Sequence, residues 1–278
     1  MTSDPGQEEA RSYPPELHLL RDLALDVEHR ADGTSAAWLK VVPELLDDTG
    51  AVRAGVFATI VDMIGGGLSA QTAAPNWIAT ADLTLHLVGR ATRGTVEAVA
   101  RVLRAGRTTV VIEVSLRSVD GPLGIATMTF SVLPRRDDNP VLNLTPAAPR
   151  TSLVLPGSGF RAPLLAELGV TVVDAAAGVV EVPVIDYSRN SMGALQGGIV
   201  ALAIDVAAEQ ALRAACGTPV RVSDVQVTYL AFVRGTLRTS TEVVAASPGF
   251  GTALVDVIDV DAETRRTTTA RVVATKDV

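Results

Sequence analysis

The sequence predicts an α+β protein built as two tandem copies of one unit. Each unit is a curved antiparallel sheet wrapped around one long central helix, and the units pack together as a pseudo-dimer. Three observations predict this. First, the stretches Val52–Ala73 (VRAGVFATIVDMIGGGLSAQTA) and Met192–Leu212 (MGALQGGIVALAIDVAAEQAL) are apolar on nearly every side, so each helix needs a surrounding layer to bury it. Second, the landmarks repeat at one spacing. Gly55 stands seven residues before Asp62, Gly198 stands seven before Asp205, and Asp205 follows Asp62 by 143 residues. Arg93-Gly94-Thr95-Val96 is answered by Arg234-Gly235-Thr236-Leu237 at an offset of 141, and Asp82 by Asp224 at 142. Third, four long strand-like runs follow each central helix, in the order that lets a sheet fold around it.

In chain order, 1–15 reads as a loose polar tail. The first unit covers 16–134, a linker rich in proline covers 135–159, and the second unit covers 160–278. A first helix is expected over Glu16–His29, with Leu17, Leu20, Leu23 and Val27 on one stripe. A strand follows at Ala36–Val42, and Asp47-Asp48-Thr49-Gly50 makes a turn. The first central helix spans about Gly55–Gln71 and ends before Pro75-Asn76. Strands are expected at Ile78–Leu87, Gly94–Arg104, Thr108–Val119 and Gly124–Leu133, with Asp120-Gly121 as a hairpin signal. The second unit repeats the plan. A short helix covers Ala162–Leu168, strands cover Val170–Val173 and Gly178–Ile185, and a central helix covers Gly197–Ala215. Strands then follow at Val220–Leu230, Gly235–Ala246, Gly251–Val260 and Arg266–Thr275.

Composition narrows the function. With 278 residues, 47% hydrophobic and a mean hydropathy of +0.31, the chain is globular, and each half is long enough to bury a core. The longest apolar runs are shorter than a bilayer and are interrupted by Asp62 and Asp205, so no membrane span is expected. A net charge of −7 argues against a nucleic-acid partner. The N-terminus lacks the basic and apolar regions of a signal peptide. The single Cys216 suits a reducing compartment, so a cytoplasmic location is expected. Cys216 reads as a small buried hydrophobe. The sequence holds no Cys/His cluster, so no metal is expected. His18 and His29 read as solvated positions of the first helix, and His86 as a strand surface or interface residue.

The chemistry concentrates at the helix starts. Gly197-Gly198 allows close approach of a ligand or a second backbone, and the free N–H groups and positive dipole end there attract an anion or a polarised carbonyl. Asp62 and Asp205 lie inside apolar helices, where lost hydration raises a carboxyl pKa. An apolar pocket between the helices would be lined by residues such as Phe57, Met63, Val200 and Gly198.

Taken together, Asn190, Gln196, Gly197, Gly198 and Asp205 resemble the motif of hotdog-fold acyl-CoA thioesterases of the phenylacetyl-CoA-pathway (PaaI-like) type. That motif reads Asn, five residues, His-Gly-Gly, then Asp eight residues after the first Gly. Gln196 stands where the family usually has His. The family also places Ser or Thr two residues before an Asp on the next strand. Thr80 before Asp82 fits, and Val222 before Asp224 does not. The first half has Asp47 for Asn, Arg53 for His and Ala54 for the first Gly. The resemblance covers nearly the whole chain, twice.

Family enzymes build each site across a dimer interface, so the resemblance implies a composite site in a tandem chain. Asn190, Gln196 and Gly197 would come from the second half, and Asp62 and Thr80 from the first. Gly197 would bind the thioester oxygen, Asn190 the carbonyl or the water, and Gln196 would orient the thioester. Asp62 would act as general base or nucleophile, and Thr80 would position the water. The opposite composite, Asp47, Arg53 and Ala54 against Asp205 and Val222, would be a retired pseudo-site in which Arg53 neutralises Asp205. The implied activity is hydrolysis of an apolar acyl-CoA, with coenzyme A part of the substrate and no separate cofactor. Candidate phosphate ligands are Arg101, Arg104, Arg107, Arg135, Arg136, Arg234 and Arg238. The resemblance further implies a homo-oligomer, a dimer of tandem chains. Two other readings stand beside it. One is a non-catalytic acyl-CoA-binding or assembly module. The other is a hotdog hydratase or dehydratase, which needs a His that neither central helix nor the loop before it supplies.

Overall fold

The computed structural model describes residues 13–136, 147–263 and 265–276. The first half runs α1 (Leu19–Asp22), β1 (Asp26–His29), β2 (Ser35–Lys40), α2 (Ala54–Ala73), β3 (Trp77–Leu87), β4 (Thr95–Ala105), β5 (Thr109–Ser118), β6 (Gly121–Leu133) and β7 (Ala148–Ser152). The second runs α3 (Leu164–Glu167), β8 (Thr171–Asp174), β9 (Val179–Val182), α4 (Gly197–Cys216), β10 (Val220–Tyr229), β11 (Leu237–Ser247), β12 (Phe250–Asp259) and β13 (Arg265–Lys276). Apart from β7, the halves share one element order, and α2 and α4 are each 20 residues long. This is the architecture expected from the sequence, two tandem hotdog units. Among the described residues, no helix is long and apolar enough to cross a membrane.

All the strands join one antiparallel sheet in the order β7-β1-β2-β4-β5-β6-β3-β10-β13-β12-β11-β9-β8. The halves meet at β3 and β10, where Leu85 pairs with Val225. The sheet curls around the two helices, so their apolar residues and the inward side chains of the strands form one core. Burial without charge explains the strands: alternate residues such as Leu83, Leu85 and Leu87 face the helix.

Inside the sheet the helices cross at glycines. A Cβ on Gly55 would lie 2.4 Å from the Leu202 Cα, and one on Gly198 would lie 2.3 Å from the Thr59 Cα. Gly198 is the counterpart of Gly55, and Leu202 of Thr59, each 143 residues on. The contact is therefore two-fold in pattern, with the first turns of α2 and α4 running antiparallel and backbone touching backbone.

Several expectations needed correction. The first helix is only Leu19–Asp22, and Asp26–His29 forms a strand. Ala24 takes a left-handed backbone conformation with φ of 49°, which ends the helix. The leucine stripe remains inside: Leu20 and Leu23 are buried, though Leu17 is exposed. His18 is not solvated. It is fully buried and caps α1, its Nδ1 accepting from the Leu20 N–H at 3.2 Å. That fixes the proton on Nε2, which donates to the Arg189 carbonyl at 2.8 Å. His29 is half-buried and meets the Ser35 hydroxyl at 2.8 Å. Within the stretch read as linker, Ala148–Ser152 pairs with β1 as an edge strand, while 137–146 lies outside the described residues. His86 sits on the β3–β10 seam opposite Asp224 at 2.5 Å, and Cys216 is buried, as read from sequence.

The crossing makes a direct prediction. Gly55→Ala should cost about 1–3 kcal/mol, because its methyl group must displace the Leu202 backbone. Urea unfolding measures this, and an unchanged midpoint would contradict so close a helix contact.

Candidate active site

The crossing delivers each helix start to the other helix's carboxylate. Asp62, two turns into α2, faces the first turn of α4. Its Oδ2 accepts the Gly198 N–H at 3.0 Å, and its Oδ1 accepts the Thr80 hydroxyl at 2.9 Å. Gly197 is part of the same contact: a Cβ there would lie 3.1 Å from Asp62 Oδ2. As the first residue of α4, Gly197 has no intrahelical partner for its own N–H. Burial pushes the Asp62 pKa up, and the Thr80 and Gly198 hydrogen bonds oppose that shift only in part.

Thr80 reaches Asp62 because β3 carries a bulge. The register slips between Thr80 and Asp82, so Ala81 is an extra residue. Leu83, Leu85 and Leu87 face inward after the bulge. Ile78 and Thr80 face inward before it, where plain alternation would point them out. β10 has the matching bulge between Val222 and Asp224, but Val222 offers no donor there.

The loop before α4 positions the rest. Asn190 Oδ1 accepts from the Met192 N–H at 2.9 Å and the Ala194 N–H at 3.0 Å. Two backbone donors fix which end is oxygen, so the amide NH2 is the end left to face the cavity. Asp47 holds its loop the same way, accepting from the Thr49 N–H at 2.8 Å and the Ala51 N–H at 3.2 Å. Its free end is a carboxylate oxygen, so the donor has become an acceptor. Gln196 is buried and its Nε2 donates to the Tyr13 hydroxyl at 2.5 Å. Tyr13 in turn donates to the Arg189 carbonyl at 3.3 Å.

A cavity of about 850 Å³ unites these groups: Asp62, Thr80, Asn190, Gln196 and Gly197 all line it. Met63 and Val200 line it as expected. Phe57 and Gly198 do not. Phe57 is 1% exposed within the core, because it projects from a side of α2 that faces the sheet. Gly198 is pressed against Thr59, and its contribution is the N–H on Asp62. Of the candidate arginines, Arg135 lines the cavity, while Arg101 and Arg238 are paired with Glu113 and Glu181.

The opposite composite is occupied by its own side chains. Asp205 is buried and its Oδ2 accepts the Gly55 N–H at 3.0 Å, the mirror of Asp62 and Gly198. Arg53 ion-pairs with Glu209, correcting the expectation of a direct pair with Asp205. Glu209 lies one turn further along α4, within reach of the guanidinium. Arg213 bonds Asp48 at 2.6 Å and Glu209 at 2.5 Å. The Asp47, Asp48 and Glu209 carboxylates lie within 4.8 Å of one another, held by these two arginines. Burial raises the Asp205 pKa and the Arg53 charge opposes it. Burial, followed by the Asp205 charge, raises that of Glu209 to about 7.

The difference between the two sites is legible at matched positions. Glu209 and Arg213 correspond to Gly66 and Ala70, 143 residues earlier, and both small residues line the cavity. Three glycines in a row inside α2 each cost roughly 0.5–1 kcal/mol against alanine. Only Gly65 is demanded by packing, since a Cβ there would lie 3.1 Å from Met128 Sδ. Residues that sequence reasoning missed are Tyr13, within the stretch read as tail, and Tyr229, whose hydroxyl donates to the Gly197 carbonyl at 2.8 Å. Both line the cavity, and burial raises both phenol pKa values, so they are neutral donors at physiological pH.

The family model described as the thioesterase superfamily matches residues 49–125, a span that holds Arg53, Asp62 and Thr80. No curated protein matches the chain. Among solved structures, the tesB protein of Mycobacterium avium subs paratuberculosis is similar at 14% identity and a TM-score of 0.60, covering 90% of this chain and 96% of its own. An acyl-ACP thioesterase from Bacteroides thetaiotaomicron is similar at 12% identity and a TM-score of 0.58, covering 87% and 98%. A hot dog fold protein from Alicyclobacillus acidocaldarius is similar at 13% identity and a TM-score of 0.58, covering 94% and 98%. At these identities the structural likeness establishes the fold across both halves. With the family match in the first half, the chain is an enzyme of the thioester-hydrolase class.

The raised Asp62 pKa carries a stability consequence. A carboxyl whose folded pKa lies above its unfolded value adds most stability below the unfolded pKa, and loses it as pH rises through the folded value. Asp62→Asn should therefore raise the melting temperature at neutral pH and leave it nearly unchanged near pH 4. Thermal scans across that range check this, and a lower melting temperature at pH 7.5 would contradict it.

Proposed function

We propose that the protein hydrolyses the thioester of an apolar acyl-CoA at the single composite site containing Asp62. The observation that carries this reading is the cavity, which gathers Asp62 and Thr80 from the first half with Asn190, Gln196 and Gly197 from the second. The PaaI-like motif spacing supports acyl-CoA as the substrate. The shared element order and the constant 143-residue offset support internal duplication as the origin of the two halves.

In the proposed reaction a water molecule beside Asp62 attacks the thioester carbon and passes a proton to the Asp62 carboxylate. The developing oxyanion takes the Gly197 N–H, a donor whose loss typically costs about 3–4 kcal/mol of barrier. The Asn190 amide NH2 holds the carbonyl or the water. When the tetrahedral intermediate collapses, the C–S bond breaks and the coenzyme A thiolate takes the proton from Asp62. Thr80 keeps the carboxylate aimed. Gln196 cannot shuttle protons as a His would, and it acts by orienting Tyr13 and the thioester. Burial makes Asp62 a stronger base than an exposed carboxylate.

Release of free thiol from an acyl-CoA panel tests the reading. Asp62→Asn should lower kcat/KM by about 10²–10⁴-fold, while Asp205→Asn should leave it within a few-fold. The pH profile of kcat/KM should have an ascending limb above the ordinary aspartate range, reporting the raised Asp62 pKa. Binding of acyl-CoA without turnover would favour an acyl-CoA-binding module instead. Loss of activity in Asp205→Asn with retention in Asp62→Asn would assign the reaction to the other composite.

A further inference from the structure

The floor of the cavity is a run of helix with its side chains removed. We infer that Gly66, Gly67 and Ala70 form a channel for a linear acyl chain, and that Gly67 sets the chain length the enzyme accepts; this rests on the proposed acyl-CoA site. Packing does not call for these glycines. A Cβ on Gly67 would meet nothing within 4 Å, and one on Gly66 would meet only Phe130 Cε1 at 3.8 Å. Neither residue takes a positive φ. Alanine would fit at both and favour the helix, so what glycine uniquely supplies there is open space.

The second half shows what happens when that space is filled. The counterparts of Gly66, Gly67 and Ala70 are Glu209, Gln210 and Arg213, and Glu209 and Arg213 occupy the equivalent face with ion pairs. Across from Gly66 and Gly67, the cavity is lined by Trp77, Ile78, Phe130 and Leu133, apolar side chains suited to methylene groups. From Asp62 to Ala74, both on the lining, is twelve residues, a run of about 18 Å at helical rise. That length suits a medium- or long-chain acyl group rather than an acetyl group. The reactive thioester would sit at Asp62, and the chain would extend toward the C-terminal end of α2.

The test is a chain-length series of linear acyl-CoAs from acetyl to palmitoyl, assayed on the full chain by thiol release. Binding of non-hydrolysable thioether analogues of the same lengths is measured alongside. Wild type should favour the longer chains. Gly67→Leu should lower the long-to-short ratio of kcat/KM at least tenfold, with the same shift in analogue binding. Gly67→Ala should raise the melting temperature and shift the ratio in the same direction by less. Gln210→Leu, on the matching face of the closed half, should leave the ratio unchanged. A ratio unmoved by Gly67→Leu in a folded, active enzyme overturns the channel while the hydrolase reading stands. Selective analogue binding that Gly67→Leu shifts, with no thiol release by wild type, overturns the hydrolase reading and keeps the channel.

Discussion

Two glycines pressed against a neighbouring backbone govern this structure. Gly55 on Leu202 and Gly198 on Thr59 bring α2 and α4 so close that a methyl group at either position would overlap a main-chain atom. That contact turns each helix start toward an aspartate two turns into its partner. The Gly198 N–H then meets Asp62, and the Gly55 N–H meets Asp205. The same contact leaves two carboxylates in an apolar core, a cost that unpaired burial normally forbids. Each is held instead by one amide from the other helix.

From that symmetrical frame the halves diverge through side-chain size and charge. On one side Thr80 supplies a donor, Asn190 presents an amide, and glycines keep the helix face bare. On the other, Val222 supplies nothing, Asp47 presents an acceptor, and Glu209, Arg213, Arg53 and Asp48 fill the space with ion pairs. A frame that can carry two sites thus holds one open cavity at Asp62. The closed side joins α2, α4 and the loop of the first half by charge, which suits an internal brace. Breaking a buried pair there would leave an uncompensated ion, so the brace should tolerate little change.

Much of this was legible in the sequence, for identifiable reasons. The central helices are apolar all round, and the strands alternate, so their extents came within a few residues of the structure. Asp62, Thr80, Asn190, Gln196 and Gly197 were legible because their spacing matches a known motif in two complementary halves. What was hidden depends on contacts distant in sequence. Tyr13 meets Gln196 across 183 residues, and no local pattern marks it. His18 sits on a short stripe of leucines and reads as solvated until the Arg189 carbonyl arrives beside it. The first helix was read too long because nothing in Leu23-Ala24-Leu25 announces the left-handed turn at Ala24. Glu209 and Arg213 were visible as letters, but their role appears only when the halves are compared position by position.

The central claim is that chemistry occurs between Asp62 and the tip of α4. A crystal structure with a non-hydrolysable acyl-CoA analogue that retains the carbonyl oxygen tests it most directly. The account predicts one molecule per chain, its carbonyl oxygen on the Gly197 N–H and its carbonyl carbon beside the Asp62 carboxylate. An analogue seated beside Asp205, or outside the cavity altogether, would contradict it.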